Sequence, residues 1–286
     1  MLLYMIFLFY SKLSWAQSDC IGVVPAGTFD FWSEVSLGAK KAGEELGLKV
    51  VIRGPSKELE SQDAQAKIVR WMKCKGYVVA PINQQTMIPL ISRPVVFIDR
   101  KIKNDRDDIT LVATNNYKVG IKIGELVVKK IDASAKIGMF RLSPEITSTT
   151  DRENGFSEAI RNAKRKIFFE QATGSSSVEV IRQKLQFYRK DLEKLDALFV
   201  PNESSIHALL LEAKYLKLKK SILIVTVDNP DFVQKAIDSG IVYATAVQSP
   251  QKMGYLGVKI LKEQLEGKSH GEYIEVPFEI LTRKSH

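Results

Sequence analysis

Short apolar runs rich in β-branched residues alternate along this chain with longer amphipathic runs. Tyr77 to Ala80 is one such short run, whereas Ser33 to Leu46 has apolar residues on one helical face and is followed by Gly47. This alternation predicts right-handed βαβ crossovers and parallel sheets covered by helices on both faces. About ten such units exceed what one sheet comfortably holds. The sequence therefore predicts an α/β protein of two doubly wound domains joined by several short crossovers.

The N-terminus has the pattern of a secretory signal peptide. An apolar run covers residues 2–10, and small residues at Ser14 and Ala16 fit cleavage before Gln17, although no positive charge precedes the run. The run is too short for a membrane span, which takes about 20 residues. The alternative, an N-terminal core strand, is disfavoured by the polar residues 17–19. We predict a signal peptide over residues 1–16, with no lipid anchor at Cys20 because the preceding residues do not fit a lipoprotein site.

Charge and cysteine content exclude several classes of protein. The net charge is +9, but the basic residues are scattered and their densest cluster, residues 164–166, is short. This distribution predicts a solvated basic surface and no nucleic-acid partner. The two cysteines, Cys20 and Cys74, are too far apart for a CxxC redox motif or a zinc knuckle. In an oxidising compartment they could form one disulfide, or both could remain reduced.

Motifs of enzymes are missing from the sequence. It contains no GxSxG, GxxxxGK or HExxH pattern, and the histidines at 207, 270 and 286 do not have metal-ligand spacing. Asp99 and Asp228 could be compared with the carboxylate pair of a glycosidase. Arg100 and Arg152 would instead hold both carboxylates ionised, which suits binding rather than acid catalysis. We therefore predict a protein without catalytic activity, metal or cofactor.

Polar side chains follow several of the predicted strands at the point where each strand ends. In open α/β sheets, ligands bind outside the carboxyl ends of the strands. Donors, acceptors and aromatic rings at such ends suit a small polyhydroxylated ligand, whose hydroxyls hydrogen-bond and whose C–H face packs on a ring. The candidate ligand-binding residues are Phe29, Phe31, Trp32, Asp99, Arg100, Arg152 at a predicted helix start, Asn202, Asp228 and Gln248.

Each candidate also has a simpler interpretation. An Asp or Asn at a strand end is often a helix cap, Phe31 and Trp32 could be core residues, and Asp99 with Arg100 could be a surface ion pair. Their joint occurrence at successive strand ends argues against these interpretations for the set as a whole.

With these motifs, the sequence resembles the type 1 periplasmic binding proteins, and specifically the ribose-binding family of pentose and hexose receptors. The resemblance covers nearly the whole chain after the predicted signal peptide. The matching segments are Ile21–Val24 with Phe31-Trp32, Val95–Arg100, Arg152–Phe156, Phe199–Glu203, Val225–Asp228 and Ala244–Gln248.

The resemblance implies two lobes joined by three hinge crossovers, with a ligand cleft between them that closes on a sugar. The first lobe would comprise residues 17–114 and 249–276, and the second lobe residues 115–248 and 277–286. The protein would be a periplasmic monomer that captures a pentose or hexose and delivers it to the permease of an ABC importer. The alternative is a sensory protein that presents a sugar or another small signal molecule to a chemoreceptor or histidine kinase.

Three positions and one short stretch depart from the family pattern. Phe29 stands where ribose binders often have Asn, Pro25 replaces a small polar residue, and Glu203 replaces Asp. The second-lobe aromatic residue expected within residues 174–177 is absent. These departures surround the expected cleft, so the sugar need not be ribose.

The resemblance also bears on the cysteines. In the implied strand order 2-1-3-4-5, the first and third strands are neighbours, and Cys20 and Cys74 precede them at the same end. A disulfide between them is therefore expected, with two buried reduced cysteines as the alternative.

Overall fold

The structure is a computed structural model that describes residues 18–55, 63–103, 106–219 and 221–283. In these ranges the strands form two six-stranded sheets, each the centre of one lobe. The first lobe contains β1 (Ser18–Val24), α1 (Asp30–Leu46), β2 (Val50–Ile52), α2 (Ala64–Met72), β3 (Cys74–Val79), a 3₁₀ helix (Gln84–Leu90), β4 (Val95–Ile98) and β5 (Thr110–Thr114). The predicted signal peptide lies outside the described residues.

The second lobe follows without interruption along the chain, and the last helix and strand of the first lobe come after it. The remaining elements are α3 (Asn116–Lys130), β6 (Ile137–Arg141), α4 (Thr147–Asn162), β7 (Ile167–Ala172), α5 (Val178–Phe187), α6 (Arg189–Leu192), β8 (Ala197–Val200), α7 (Glu203–Glu212), β9 (Leu223–Val227), α8 (Asp231–Asp238), β10 (Ala244–Val247), α9 (Pro250–Leu265), β11 (Tyr273–Val276) and β12 (Glu279–Thr282).

The two sheets share one topology. Their strand orders are β2-β1-β3-β4-β5-β11 and β7-β6-β8-β9-β10-β12. Pairing is parallel throughout the described part of both sheets except between β10 and β12, which are antiparallel. Within the described ranges the chain passes between the sheets after β5, after β10 and after β11. The predicted pair of doubly wound lobes with three crossovers is confirmed.

Three details of the sequence prediction are wrong. The sequence indicates a single extended segment over residues 273–281, whereas the structure has two strands there in different sheets, β11 beside β5 and β12 beside β10. The sequence analysis omitted β5, whose terminal threonines obscure its apolar character. Arg152 does not start a helix, because α4 begins five residues earlier at Thr147 in a run of polar residues with low helix propensity.

Reciprocal glycines bring one pair of helices close together in each lobe. Gly38 of α1 and Gly254 of α9 face each other's helix, as do Gly120 of α3 and Gly155 of α4. A Cβ atom on Gly120 would lie 1.9 Å from the carbonyl oxygen of Arg152, so a side chain there would force the helices apart. This close approach fixes Arg152 against the start of α3.

A disulfide joins Cys20 of β1 to Cys74 of β3, with 4.9 Å between the Cα atoms. Both residues are buried, and the two strands are neighbours in the sheet. The expected bridge is confirmed and the reduced alternative is wrong.

The helices in the described ranges include none that is long and apolar enough to cross a membrane. The same residues contain no group of three or more His, Cys, Asp or Glu side chains arranged to hold a metal ion.

Candidate functional site

All nine candidate residues line one cavity between the lobes. This cavity, called the sugar-sized cavity below, contains about 580 Å³ of space between atoms, including the part open to solvent. The residues come from separate segments of the chain and converge because parallel strands end at the same edge of each sheet. They are Phe29, Phe31, Trp32, Asp99, Arg100, Arg152, Asn202, Asp228 and Gln248.

Two of the carboxylates stand on strained backbone. Asp99 follows β4 with a φ of 65°, and Asp228 follows β9 with a φ of 77°. Left-handed backbone is disfavoured for residues with a Cβ, although Asp and Asn adopt it more readily than others, and such conformations cluster at functional sites. Asp99 Oδ2 accepts hydrogen bonds from Arg100 Nε at 2.8 Å and from Ser148 Oγ at 3.1 Å. Burial raises the pKa of Asp228, although the nearby Arg152 charge opposes that rise.

Arg152 is buried with only 2% of its surface exposed, and protein acceptors hold its guanidinium group. Its Nε and Nη2 donate to Asn116 Oδ1 at 3.0 and 2.5 Å, and its Nη1 donates to the carbonyl oxygen of Pro201 at 2.8 Å. Burial lowers the pKa of Arg152, while the charges of Asp228 and Asp99 raise it. A guanidinium has five N–H donors, so these contacts leave one N–H on each terminal nitrogen for a ligand.

The aromatic residues have different roles. Phe31 and Trp32 pack edge to face with ring centroids 4.9 Å apart. The guanidinium carbon of Arg100 lies 5.4 Å from the centre of the Trp32 ring, a cation–π arrangement. Trp32 is therefore engaged by the protein, and Phe29 and Phe31, both half-buried, are the rings better placed to receive a ligand.

The helix-cap interpretation is correct for Asn202. Its Oδ1 accepts a hydrogen bond from the backbone N–H of Ser205 at 3.3 Å, and its Nδ2 donates to Ser204 Oγ at 2.8 Å. Only one N–H of the amide remains for another partner. Gln248 donates from Nε2 to Asp228 Oδ1 at 2.7 Å, whereas its Oε1 is buried and has no hydrogen-bond partner in the described structure.

Glu203 connects the two lobes directly. It stands at the start of α7 in the second lobe, and its Oε1 and Oε2 accept hydrogen bonds from the backbone N–H groups of Asp30 and Phe31, each at 3.2 Å. Those groups lie at the start of α1 in the first lobe. Burial, reinforced by the charge of Asp228, raises the pKa of Glu203 to about 7, although the two backbone N–H donors oppose the rise.

Further hydrogen bonds cross the cleft beside this contact. The hydroxyl of Thr147 donates to the carbonyl oxygen of Lys101 at 3.0 Å, and Ser148 donates to Asp99 as described above. With Glu203 they show the lobes in contact, which is a closed arrangement.

The cavity also contains polar residues that the sequence analysis did not select. Ser148 and Thr149 belong to the first turn of α4, which lies before the predicted helix start at Arg152, so the sequence did not indicate that they line the cavity. Ser176 lies in the stretch where the family pattern has an aromatic residue. This departure was the sequence signal that could have identified Ser176 as a cavity residue. The additional polar lining residues are Ser148, Thr149, Ser176, Glu203 and Ser204.

Comparison with known proteins gives a consistent result. Residues 21–269 match the family described as periplasmic binding protein domain. The ribose import binding protein RbsB of Haemophilus influenzae is 24% identical over 266 residues, covering 88% of this chain and 87% of that protein. The D-allose-binding periplasmic protein of Escherichia coli is 21% identical over 272 residues, covering 89% and 86%.

One solved structure is especially similar. The periplasmic component of an ABC-type sugar transport system from Hahella chejuensis superposes with a TM-score of 0.84 at 25% identity, covering 92% of this chain and 99% of that one. These relatives are substrate-binding components of transport systems and not enzymes, which confirms the prediction that the chain is not an enzyme.

Proposed function

The chain belongs to the periplasmic binding protein family, and we propose that it captures a monosaccharide, a pentose or a hexose, between its two lobes. One observation supports this proposal above the others: nine residues chosen from the sequence for sugar recognition line a single cavity at the interface of the lobes. Relatives named for ribose and D-allose fit the same ligand class.

The geometry suggests how a sugar would be held. Asp99 and Asp228 accept hydrogen bonds from ring hydroxyls, and the two remaining N–H groups of Arg152 donate to hydroxyl oxygens. The C–H face of the ring packs on Phe29 or Phe31. Because donors and acceptors are fixed before binding, an analogue lacking one hydroxyl would leave a buried group unpaired and bind poorly.

The charge of the cavity disfavours anionic ligands. Its lining contains the carboxylates of Asp99, Asp228 and Glu203 against the guanidinium groups of Arg100 and Arg152. Asn116 and Pro201 occupy three of the five N–H donors of Arg152, so it has only two left, on different nitrogens, for a phosphate or carboxylate. A neutral polyol, or one with a positive charge, meets less repulsion there.

The chain organisation follows from this proposal. Residues 1–16 would be removed as a signal peptide on export to the periplasm. The first lobe would comprise residues 17–114 and 249–276, and the second lobe residues 115–248 and 277–286. Opening would occur at the three crossovers, and closing on the sugar would create the surface that the membrane partner recognises.

A ligand screen tests the proposal. Mature protein is heated with pentoses, hexoses and sugar alcohols at about 1 mM, and hits are measured by calorimetry. A ligand of micromolar affinity should stabilise the protein by about 4 kcal/mol, which raises Tm by several degrees. If no sugar raises the Tm of folded protein, the proposal is wrong.

The partner is tested separately. We propose that the partner is the permease of an ABC importer, so deleting the gene should abolish uptake of the labelled sugar. If uptake persists while the transcriptional response to the sugar is lost, the protein is a sensor for a chemoreceptor or histidine kinase instead. The monomeric state is checked by sedimentation.

A further inference from the structure

A second chamber adjoins the sugar-sized cavity. It measures about 950 Å³ including the part open to solvent, and it lies between the start of α1, the start of α8 and the crossover that follows β10. Phe31, Glu203, Asp228 and Gln248 line both spaces. The two spaces are therefore adjacent and share these side chains, so a substituent on a bound sugar that reached the shared side chains would meet the lining of the second chamber.

The second chamber is strongly acidic. Its lining contains five carboxylates, those of Asp30, Glu34, Glu203, Asp228 and Asp231, and no Lys or Arg. None of them has a salt bridge to another described residue within 4.0 Å. This is not a consequence of composition, because the whole chain has a net charge of +9. Another space that meets the cavity at Asp99 and Arg100 has mixed charges.

Some of this acidity has a local explanation. Asp30, Glu203 and Asp231 each occupy the first position of a helix, where the helix dipole stabilises a negative charge. Glu34 and Asp228 are not first residues of helices. The helix dipoles therefore explain only three of the five carboxylates in the chamber.

The lining of the acidic chamber also contains a buried hydrogen-bond acceptor that has no partner. Gln248 is 6% exposed, and its Oε1 has no hydrogen-bond partner among the described residues. Its Nε2 donates to Asp228, so exchanging the two amide atoms would place an oxygen against a carboxylate. Asn229 also lines the chamber, and its Oδ1 is likewise buried with no hydrogen-bond partner among the described residues. The chamber thus presents acceptors, and a ligand has to bring the donors.

We infer that the ligand is a sugar with an ammonium group, its ring in the sugar-sized cavity and its ammonium in the acidic chamber between Glu203, Asp228 and Gln248. An ammonium has three donors and no acceptor, which matches a lining of carboxylates and an unpaired amide oxygen. This inference rests on the proposed function and narrows its substrate class to amino sugars and sugar amines.

The protonation behaviour of the lining is consistent with this. Burial raises the pKa of both Glu203 and Asp228, and no lining cation opposes this within the chamber. A bound ammonium would lower both pKa values again, because a nearby positive charge favours the ionised carboxyl group.

The test compares sugars that differ only at the charged group. Calorimetry at about pH 7.5 measures D-glucosamine against D-glucose, D-galactosamine against D-galactose, and 1-amino-1-deoxy-D-fructose against D-fructose. N-acetyl-D-glucosamine is the uncharged control. We expect at least one amine to bind about tenfold or more tightly than its hydroxyl counterpart, and its affinity to fall with added salt.

Matched variants locate the effect. Asp231 and Glu34 line the acidic chamber but not the sugar-sized cavity. The double variant Asp231→Asn with Glu34→Gln should weaken binding of the amine about tenfold and leave binding of neutral sugars unchanged.

The outcomes separate the two proposals. If neutral sugars bind and no amine binds more tightly than its counterpart, this inference is overturned while the proposed function stands. An amine preference that is unchanged in the double variant also overturns it, because an ammonium in the acidic chamber would have lost two of its five neighbouring carboxylates. If neither class binds to folded protein, the proposed function itself fails.

Discussion

Glu203 makes sugar binding sensitive to pH. In the closed structure its pKa is raised to about 7 from the ordinary value of 4.5. When the lobes separate, the carboxylate leaves the backbone N–H groups of Asp30 and Phe31 and regains water, so we expect its pKa to return toward 4.5. Between these values the closed form holds a proton that the open form lacks. Closing therefore takes up a proton and becomes less favourable as the pH rises from 4.5 to 7.

The size of the effect follows from the two pKa values of Glu203. Proton linkage with 4.5 in the open form and 7 in the closed form predicts about 25-fold weaker sugar affinity at pH 8 than at pH 5.5. Glu203→Gln cannot titrate and should remove this contribution. The difference in pH dependence between wild type and variant isolates Glu203 from Asp228, whose pKa is also raised.

Glu153 provides the matched control. Its pKa is likewise raised to about 7 by burial, but its partners, the backbone N–H of Leu142 and the Arg141 guanidinium, lie in its own lobe. Glu153→Gln should therefore change the pH dependence of Tm and leave that of sugar affinity as in wild type. Calorimetry with the sugar found in the screen, from pH 5.5 to 8, measures this. Wild-type affinity that does not change over the range, or equal pH dependence in Glu203→Gln, would refute the reasoning.

Three further perturbations test the fold and the site. Replacing Cys20 and Cys74 by Ser should lower the free energy of unfolding by about 4 kcal/mol, as measured by urea denaturation, because the bridge closes a loop with a sequence separation of 54 residues; equal stability would contradict this. Gly120→Ala should lower Tm by several degrees because its Cβ would meet a helix backbone, whereas Gly271→Ala, with no atom within 4 Å, should not. Arg152→Ala should abolish most sugar binding because the sugar hydroxyls lose their donor and the buried carboxylates Asp99 and Asp228 lose a nearby positive charge; an unchanged Kd in calorimetry would remove Arg152 from the site.

The sequence located the candidate site better than it located the elements around it. Asp99 and Asp228 could be chosen because each follows a predominantly apolar strand, and parallel strands in one sheet end at one edge. Phe31 and Trp32 follow the first strand for the same reason. This geometry is set by the α/β architecture and does not depend on exact boundaries.

Contacts between distant parts of the chain could not be predicted in this way. Glu203 was noticed only as a departure from a family pattern, because its partners at Asp30 and Phe31 lie more than 170 positions away. Ser148 was missed because low helix propensity hid the first turn of α4, where packing on α3 overrides that propensity. The local sequence pattern indicates which secondary structure each segment prefers. The roles of Glu203 and Ser148 depend instead on tertiary contacts between the lobes.

Helix α9 and strand β11 belong to the first lobe but follow the second lobe in the chain, and this order affects folding during synthesis. Tyr255 of α9 hydrogen-bonds to Glu45 of α1 across 210 positions, and β11 extends the first sheet beside β5. Contacts this far apart form slowly and cannot form until nearly the whole chain has left the ribosome. The first lobe of a chain exported as proposed therefore cannot finish folding during synthesis. This keeps the lobe incompletely folded, as passage through a membrane channel requires.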